Sequence, residues 1–223
     1  MQRVAFALLM GRITDAIADP YSGRSLSSKA RARRWNELLS RFDLASMRVV
    51  DLGGDARHWR HAPVRPRELV LVNLFEQEVD DPAMSAIVGD ACAVPESLAG
   101  EHFDLVYSNS VIEHVGGFAK QQAFAGVVGE LADHHWIQTP YRYFPIEPHW
   151  VCPGFQFLPA AARVGVTKRW PLGHRRTADH DAAVEATLSV QLLSKTEMRH
   201  FFAGSDIWEE RFLGLTKSLV AAR

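Results

Sequence analysis

The chain has 223 residues, 47% of them hydrophobic, and a formal net charge of -1. That length favours one substantial core over two domains, and the balanced charge supplies no broad basic field to draw the protein to nucleic acid or anionic lipid. The only cysteines, Cys92 and Cys152, lack CxxC or histidine spacing, which fits a reducing cytoplasm and gives no structural zinc site.

Residues 1 to about 44 read as helical. The apolar run at 4–10 is far shorter than the ~20 residues a bilayer requires and lacks a small-residue cleavage motif, so it reads as one face of a helix, with no stable membrane anchor. The sequence DPYSG at 19–23 breaks that segment, and Ser27 or Ser28 caps a second helix. Trp35, Leu38, Leu39 and Phe42 recur on it at helical spacing. Lys29, Arg31, Arg33 and Arg34 near its start form a solvated face or contact a substrate. Short apolar, often β-branched runs at 48–52, 68–73, 86–88, 103–108 and 135–138 then predict parallel strands covered on both faces. The fourth is expected to turn straight into a helix opening with Glu113 and His114, followed by a helix over 119–132. Residues 140–181, rich in proline and aromatics, read as irregular. A helix over 195–202 and strands at 206–213 and 216–221 close the chain, and the tight connection at Gly214 allows only an antiparallel pair.

Several strand ends carry polar and glycine residues together. VVDLGGD at 49–55 ends an apolar strand in Asp51, Gly53 and Gly54; the second strand ends in Asn73, with Glu76 after it; Gly89-Asp90-Ala91 follows the third; Ser108 and Asn109 end the fourth. In open parallel sheets, ligands gather at the carboxyl ends of strands. In this order and spacing the motifs resemble the class I S-adenosylmethionine-dependent methyltransferases. The resemblance covers about residues 48–136 by motif and the final hairpin by pattern. It implies an α/β fold: a Rossmann-like, doubly wound, mostly parallel sheet with a C-terminal antiparallel hairpin and an N-terminal helical cap. A single domain is expected, with the cap at 1–44, a cofactor-binding half at 45–139, an acceptor-binding loop region at 140–190, and the helix and hairpin at 191–223.

The resemblance also implies site roles. Asp51 with Gly53 and Gly54 would hold the amino-acid end of S-adenosylmethionine, although Asp55 and Arg57 stand where further glycines are usual. Asn73 takes the place of the acid that bonds the ribose diol. Asp90 would receive the adenine amino group, with the Ala91 N–H meeting the ring, or else Asp90 is a cap. Ser108 and Asn109 would close the pocket. No GxxxxGK[ST], complete GxGxxG or GxSxG occurs, so nucleoside triphosphates, dinucleotides and a serine nucleophile are poorly served.

The acceptor side is expected in the proline-stiffened segment 138–159, which contains QTPYRYFPIEPHW. His149 is the candidate general base, with Glu147 able to reach the same locus across Pro148; its alternative is a structural histidine packed by Trp150. Glu113 and His114 are either a structural or cofactor-side pair or, by resemblance to a subset of the family, ligands for Mg2+, a set that Glu147 or His149 would complete. The absence of [ND]PP[YF] at 108–111 lowers nucleic-acid bases as acceptors. Tyr141, Arg142, Tyr143, Glu147, His149, Trp150 and Gln156 suit a sugar ring and its hydroxyls, and the PIEPHW loop is similar to that of actinobacterial saccharide O-methyltransferases. A saccharide or glycolipid precursor is the expected small-molecule acceptor. A phenol or small acid, and a non-catalytic cofactor-binding module, are the alternatives.

Overall fold

The computed structural model describes residues 26–173 and 176–223; the expectations for residues 4–10 and 19–23 lie outside them. In chain order the elements are α1 (Leu26–Arg41), β1 (Arg48–Leu52), α2 (Ala56–Arg60), β2 (Glu68–Asn73), β3 (Met84–Val88), β4 (Leu105–Asn109), α3 (Phe118–Leu131), β5 (His135–Pro140), β6 (Ile146–Glu147), β7 (Cys152–Pro153), α4 (Ala160–Arg169), α5 (His180–Leu188), α6 (Lys195–Phe201), β8 (Asp206–Phe212) and β9 (Leu215–Ala222). They divide between two compact units, one of residues 43–145 with 184–223, the other of residues 26–42 with 146–173 and 176–183. No described helix is long and apolar enough to cross a membrane.

The first unit holds a seven-stranded sheet in the order β3-β2-β1-β4-β5-β9-β8. β1 to β5 are mutually parallel; β9 runs antiparallel to β5, and β8 antiparallel to β9. The sheet is the Rossmann-like, mostly parallel arrangement with a terminal hairpin that the sequence predicts. Its central strands are buried almost throughout, as expected where both faces are covered. On one face, Val50, Leu52, Val70, Val72, Val106 and Ile137 pack with Phe124, Val127, Val128 and Leu131 of α3 and with Met198 and Phe201 of α6. α6 starts in a reciprocal capping box, Ser194 with Glu197, which satisfies two otherwise orphaned donors. The chain leaves β1 toward β2 in one direction and β4 returns on its other side, so the strand order switches between β1 and β4, and the carboxyl ends of those strands frame a crevice.

Three features differ from expectation. Residues 112–114 form a turn, not the start of a helix. Ser110 at φ 60 and Gly116 at φ 117 are incompatible with continuous right-handed helix, and α3 begins only after Gly117. The short helix α2 follows Asp55, whose carboxylate accepts the Arg57 N–H at 2.7 Å and so serves as its cap. Residues 140–181 are only partly irregular. They hold the β6–β7 hairpin and α4, the latter entered through Pro159, whose fixed φ suits a helix start.

Phe124 is fully buried in the face beneath α3. Phe124→Ala is expected to lower stability by about 3–5 kcal/mol, read as a lower midpoint in guanidinium chloride with the slope unchanged.

Candidate functional site

The carboxyl end of β1 turns on two glycines that side chains could not replace. Gly53 sits at φ 79 and donates its N–H to the Val72 carbonyl at 2.8 Å; a Cβ there would run into the Val111 side chain. A Cβ on Gly54 would lie 2.5 Å from Asp51 Oδ2. The turn is clamped from the next strand. Asn73 Nδ2 and Gln77 Nε2 both donate to the Gly54 carbonyl, at 2.8 and 2.7 Å, and Gln77 Oε1 accepts the Ala56 N–H at 2.9 Å. Asn73 Oδ1 in turn accepts the Leu74 N–H at 2.8 Å. The residue expected at the ribose is thus engaged in holding the glycine turn, and Asp55, expected as a departure from a glycine-rich loop, caps α2.

Asp51 points into the same turn and is 2% exposed. Its Oδ2 accepts the Trp59 indole N–H at 2.7 Å. Burial pushes its carboxyl up to about 7, the Trp59 hydrogen bond opposing that rise and the nearby Asp55 charge adding to it. Trp59 is fully buried and meets Tyr107 edge-on at 5.0 Å; Tyr107 shares a hydrogen bond of 3.0 Å with His58. Trp59 and Gln77 were not singled out from sequence. The only signal for them was position, one in the helix leaving the glycine turn and the other just beyond β2.

The remaining strand-end residues are anchored in different ways. Asp90 accepts the Cys92 N–H at 2.9 Å and the Lys120 ammonium at 3.1 Å; the main-chain bond first, then the lysine, holds its carboxyl below the usual carboxylate range. Ala91 beside it is buried. Ser108 is fully buried and donates to the Leu52 carbonyl at 2.7 Å, tying β4 to β1. Asn109 is partly exposed. Glu113 is fully buried in the turn after β4, where its Oε2 accepts the Thr139 hydroxyl at 2.9 Å and its carbonyl accepts the Gln191 N–H at 2.8 Å. With His114 it offers one carboxylate, already bonded, and one imidazole. Mg2+ keeps several of its waters and takes one or two carboxylates, and the pair offers one such oxygen donor beside an imidazole.

In the other unit, the β6–β7 hairpin brings Glu147 and His149 together. Glu147 is 1% exposed; its Oε1 lies 2.6 Å from His149 Nδ1 and its Oε2 accepts the Trp150 N–H at 2.9 Å. A carboxylate only accepts, so Nδ1 carries the imidazole proton and Nε2 is the basic nitrogen. Trp150 stacks on Phe155 with ring centroids 4.1 Å apart and is itself buried. Of the side chains expected to face a sugar, Tyr143 is 55% exposed, whereas Arg142 is engaged by the Leu192 carbonyl and Glu197.

No family model and no curated protein matches the chain. Among solved structures it is similar to DhpI in an SAH complex, at 13% identity and a TM-score of 0.56 over 98% of this chain and 93% of that one. It is similar also to the magnesium protoporphyrin IX methyltransferase ChlM from Synechocystis PCC 6803 with bound SAH, at 12% identity and a TM-score of 0.53 over 88% and 82%. A third likeness is to the N-terminal domain of EvdMO1 in the presence of SAH and D-fucose, at 13% identity and a TM-score of 0.50 over 100% and 98%. These likenesses show a methyltransferase-type Rossmann-like fold.

The Asp51 environment sets a pH dependence. Its folded value lies above the unfolded one, so between 3.8 and about 7 the folded chain keeps a proton that the unfolded chain has lost. The stability contributed by the neutral carboxyl is full below that window and is lost as pH rises through it. Asp51→Asn, which keeps an oxygen acceptor for Trp59, is expected to exceed wild type in stability at pH 8 by up to roughly 4 kcal/mol, and the gap is expected to close toward pH 4 in denaturant titrations.

Proposed function

We propose that the chain is an S-adenosylmethionine-dependent methyltransferase acting on a hydroxyl of a small molecule, with a saccharide or glycolipid precursor as the favoured acceptor class. The observation that carries the reading is the desolvated Asp51 carboxylate at the Gly53-Gly54 turn, where β1 ends at the switch in strand order. A buried carboxylate whose hydrogen-bond donor is neutral is a receptor for a cation, and the cofactor's amino-acid end carries an ammonium. The glycine turn fits that group, since Gly54 puts no Cβ against the carboxylate. Asp90 and Ala91 remain the candidates for the adenine and Ser108 and Asn109 for the pocket wall, while Asn73 would reach the ribose only by leaving Gly54.

When bound, the cofactor supplies a methyl carbon activated by its sulfonium. The chain must align the acceptor and take its proton as the carbon–oxygen bond forms and the carbon–sulfur bond breaks. His149 Nε2 is proposed to take that proton, with Glu147 fixing the tautomer and stabilising the imidazolium that results. Glu147 is thereby a positioning residue and His149 the base. Glu113 and His114 act in this scheme as supports of the turn after β4, with no step assigned to Mg2+. The saccharide choice is supported by the resemblance of the PIEPHW loop, by the exposure of Tyr143, and by the presence of D-fucose with EvdMO1. The inward commitment of Asn73 favours a second reading, a module that binds the cofactor without turnover.

Calorimetry with S-adenosylmethionine and SAH, followed by methyl transfer to a panel of sugars, glycolipids, phenols and small acids, separates these readings. Turnover on a sugar is the expected result; binding with no turnover across the panel favours the module, and no binding removes both. His149→Ala is expected to lower kcat by about 100-fold or more while cofactor affinity stays within about twofold of wild type. Glu147→Gln is expected to fall between the two.

A further inference from the structure

Asp51 is held at both sides of one oxygen. Trp59 Nε1 reaches Oδ2 at 2.7 Å, and Gly54 has its hydrogen, not a Cβ, against the same atom. With Oδ2 fixed, Oδ1 is the oxygen left to meet a ligand. The indole that fixes it cannot swing away: Trp59 is 0% exposed, packed on Tyr107 at 5.0 Å and on the His58 ring at 5.8 Å. Its helix is pinned in turn by the Asp55 cap and by Gln77 on the Ala56 N–H. We propose that Trp59 is a positioning residue for the cofactor, its indole N–H holding the Asp51 carboxylate in the orientation that receives the ammonium of the amino-acid end. This inference deepens the methyltransferase reading and rests on it.

The arrangement makes binding sensitive to pH in a way that a purely packing tryptophan does not. The ionisable groups around Asp51 are Asp55 on the same loop, His58 on α2 and Tyr107 on β4. Asp55 disfavours ionisation of Asp51, and the Trp59 N–H favours it. Affinity for an ammonium-bearing ligand should therefore rise with pH as Asp51 ionises, then level off once the carboxylate is fully ionised. Removing the indole N–H moves the rising limb upward.

The test compares wild type with Trp59→Phe, which keeps an aromatic ring and loses the donor. SAH affinity is measured by calorimetry from pH 5.5 to 8.5, and folding is checked by thermal melting. The expected result is roughly tenfold weaker SAH binding at pH 7 in the variant, with the rising limb displaced upward by about one pH unit. A wild-type measurement that needs no variant runs beside it. In 15N-labelled protein, one indole N–H resonance should titrate near neutrality and move again on addition of SAH. Equal affinity and an unchanged pH profile in a folded variant overturn the inference. So does the lack of any indole resonance that responds to both pH and SAH, which decides the matter if Trp59→Phe does not fold. Failure of wild type to bind SAH at any pH defeats the methyltransferase reading itself, a separate outcome.

Discussion

Parallel pairing of β1 with β2 on one side and β4 on the other is the constraint from which the rest of the sheet-bearing unit follows. Parallel neighbours cannot be joined by tight turns, so the chain must cross over the faces of the sheet between strands. The crossovers bury both faces and demand strands that are apolar on both sides, as β1, β2, β4 and β5 are. They also bring the carboxyl ends to one rim. Where successive crossovers depart in opposite directions, that rim opens between β1 and β4, and the polar residues of the chain's interior collect beside it.

Several of those interior polar groups are tolerable because they have a defined partner. Ser108 bonds the β1 main chain, Thr139 bonds Glu113, Gln121 reaches the carbonyls of Ile112 and Gln191, and Ser110 meets Gln138. Such bonds offset the cost of removing polar atoms from water, and an unmade one would cost more than a made one contributes. Asp51, like Glu113 with its Thr139 hydroxyl, is a buried carboxyl met by a neutral donor. Its partner is a neutral N–H, which satisfies an oxygen without neutralising a charge, so the price of burial remains in its titration. A site built this way is less stable than a wholly apolar one and better prepared for a cationic ligand, a trade common where function is located.

The legibility of the sequence follows the range of the interactions involved. Short β-branched runs declare buried strands, because alternation and burial are local matters, and β1, β2, β4, β5, β8 and β9 lie where the pattern puts them. DLGG declares a turn, since only glycine fits the positive φ of Gly53 beside Val111 and the close approach of Gly54 to Asp51. Glu113 and His114 suggest a helix start by residue type, but the backbone at Ser110 and Gly116 makes 112–114 a turn. The five residues of α2 carry too little periodicity to declare a helix, and its Asp55 cap stands where a glycine-rich loop would hold glycine. At the site, Asp51 could be named from its place after an apolar run. That Asn73 would bond Gly54, and that Trp59 would bond Asp51, depends on side chains meeting across the sheet edge, which no local pattern encodes. Glu147 and His149 were legible for the opposite reason, being two residues apart in one hairpin.

The hairpin at the far edge has a consequence for how the protein acquires its shape. β9 lies between β5 and β8, so one edge of β5 stays uncovered until β9 arrives. During synthesis the parallel half can assemble early, but it must wait with that edge exposed while the whole segment from 141 to 214 emerges. Contacts so distant in sequence are slow to form, and an uncovered apolar strand is a template for wrong partners. The long intervening segment therefore lengthens the interval in which the β5 edge lies open to a wrong partner.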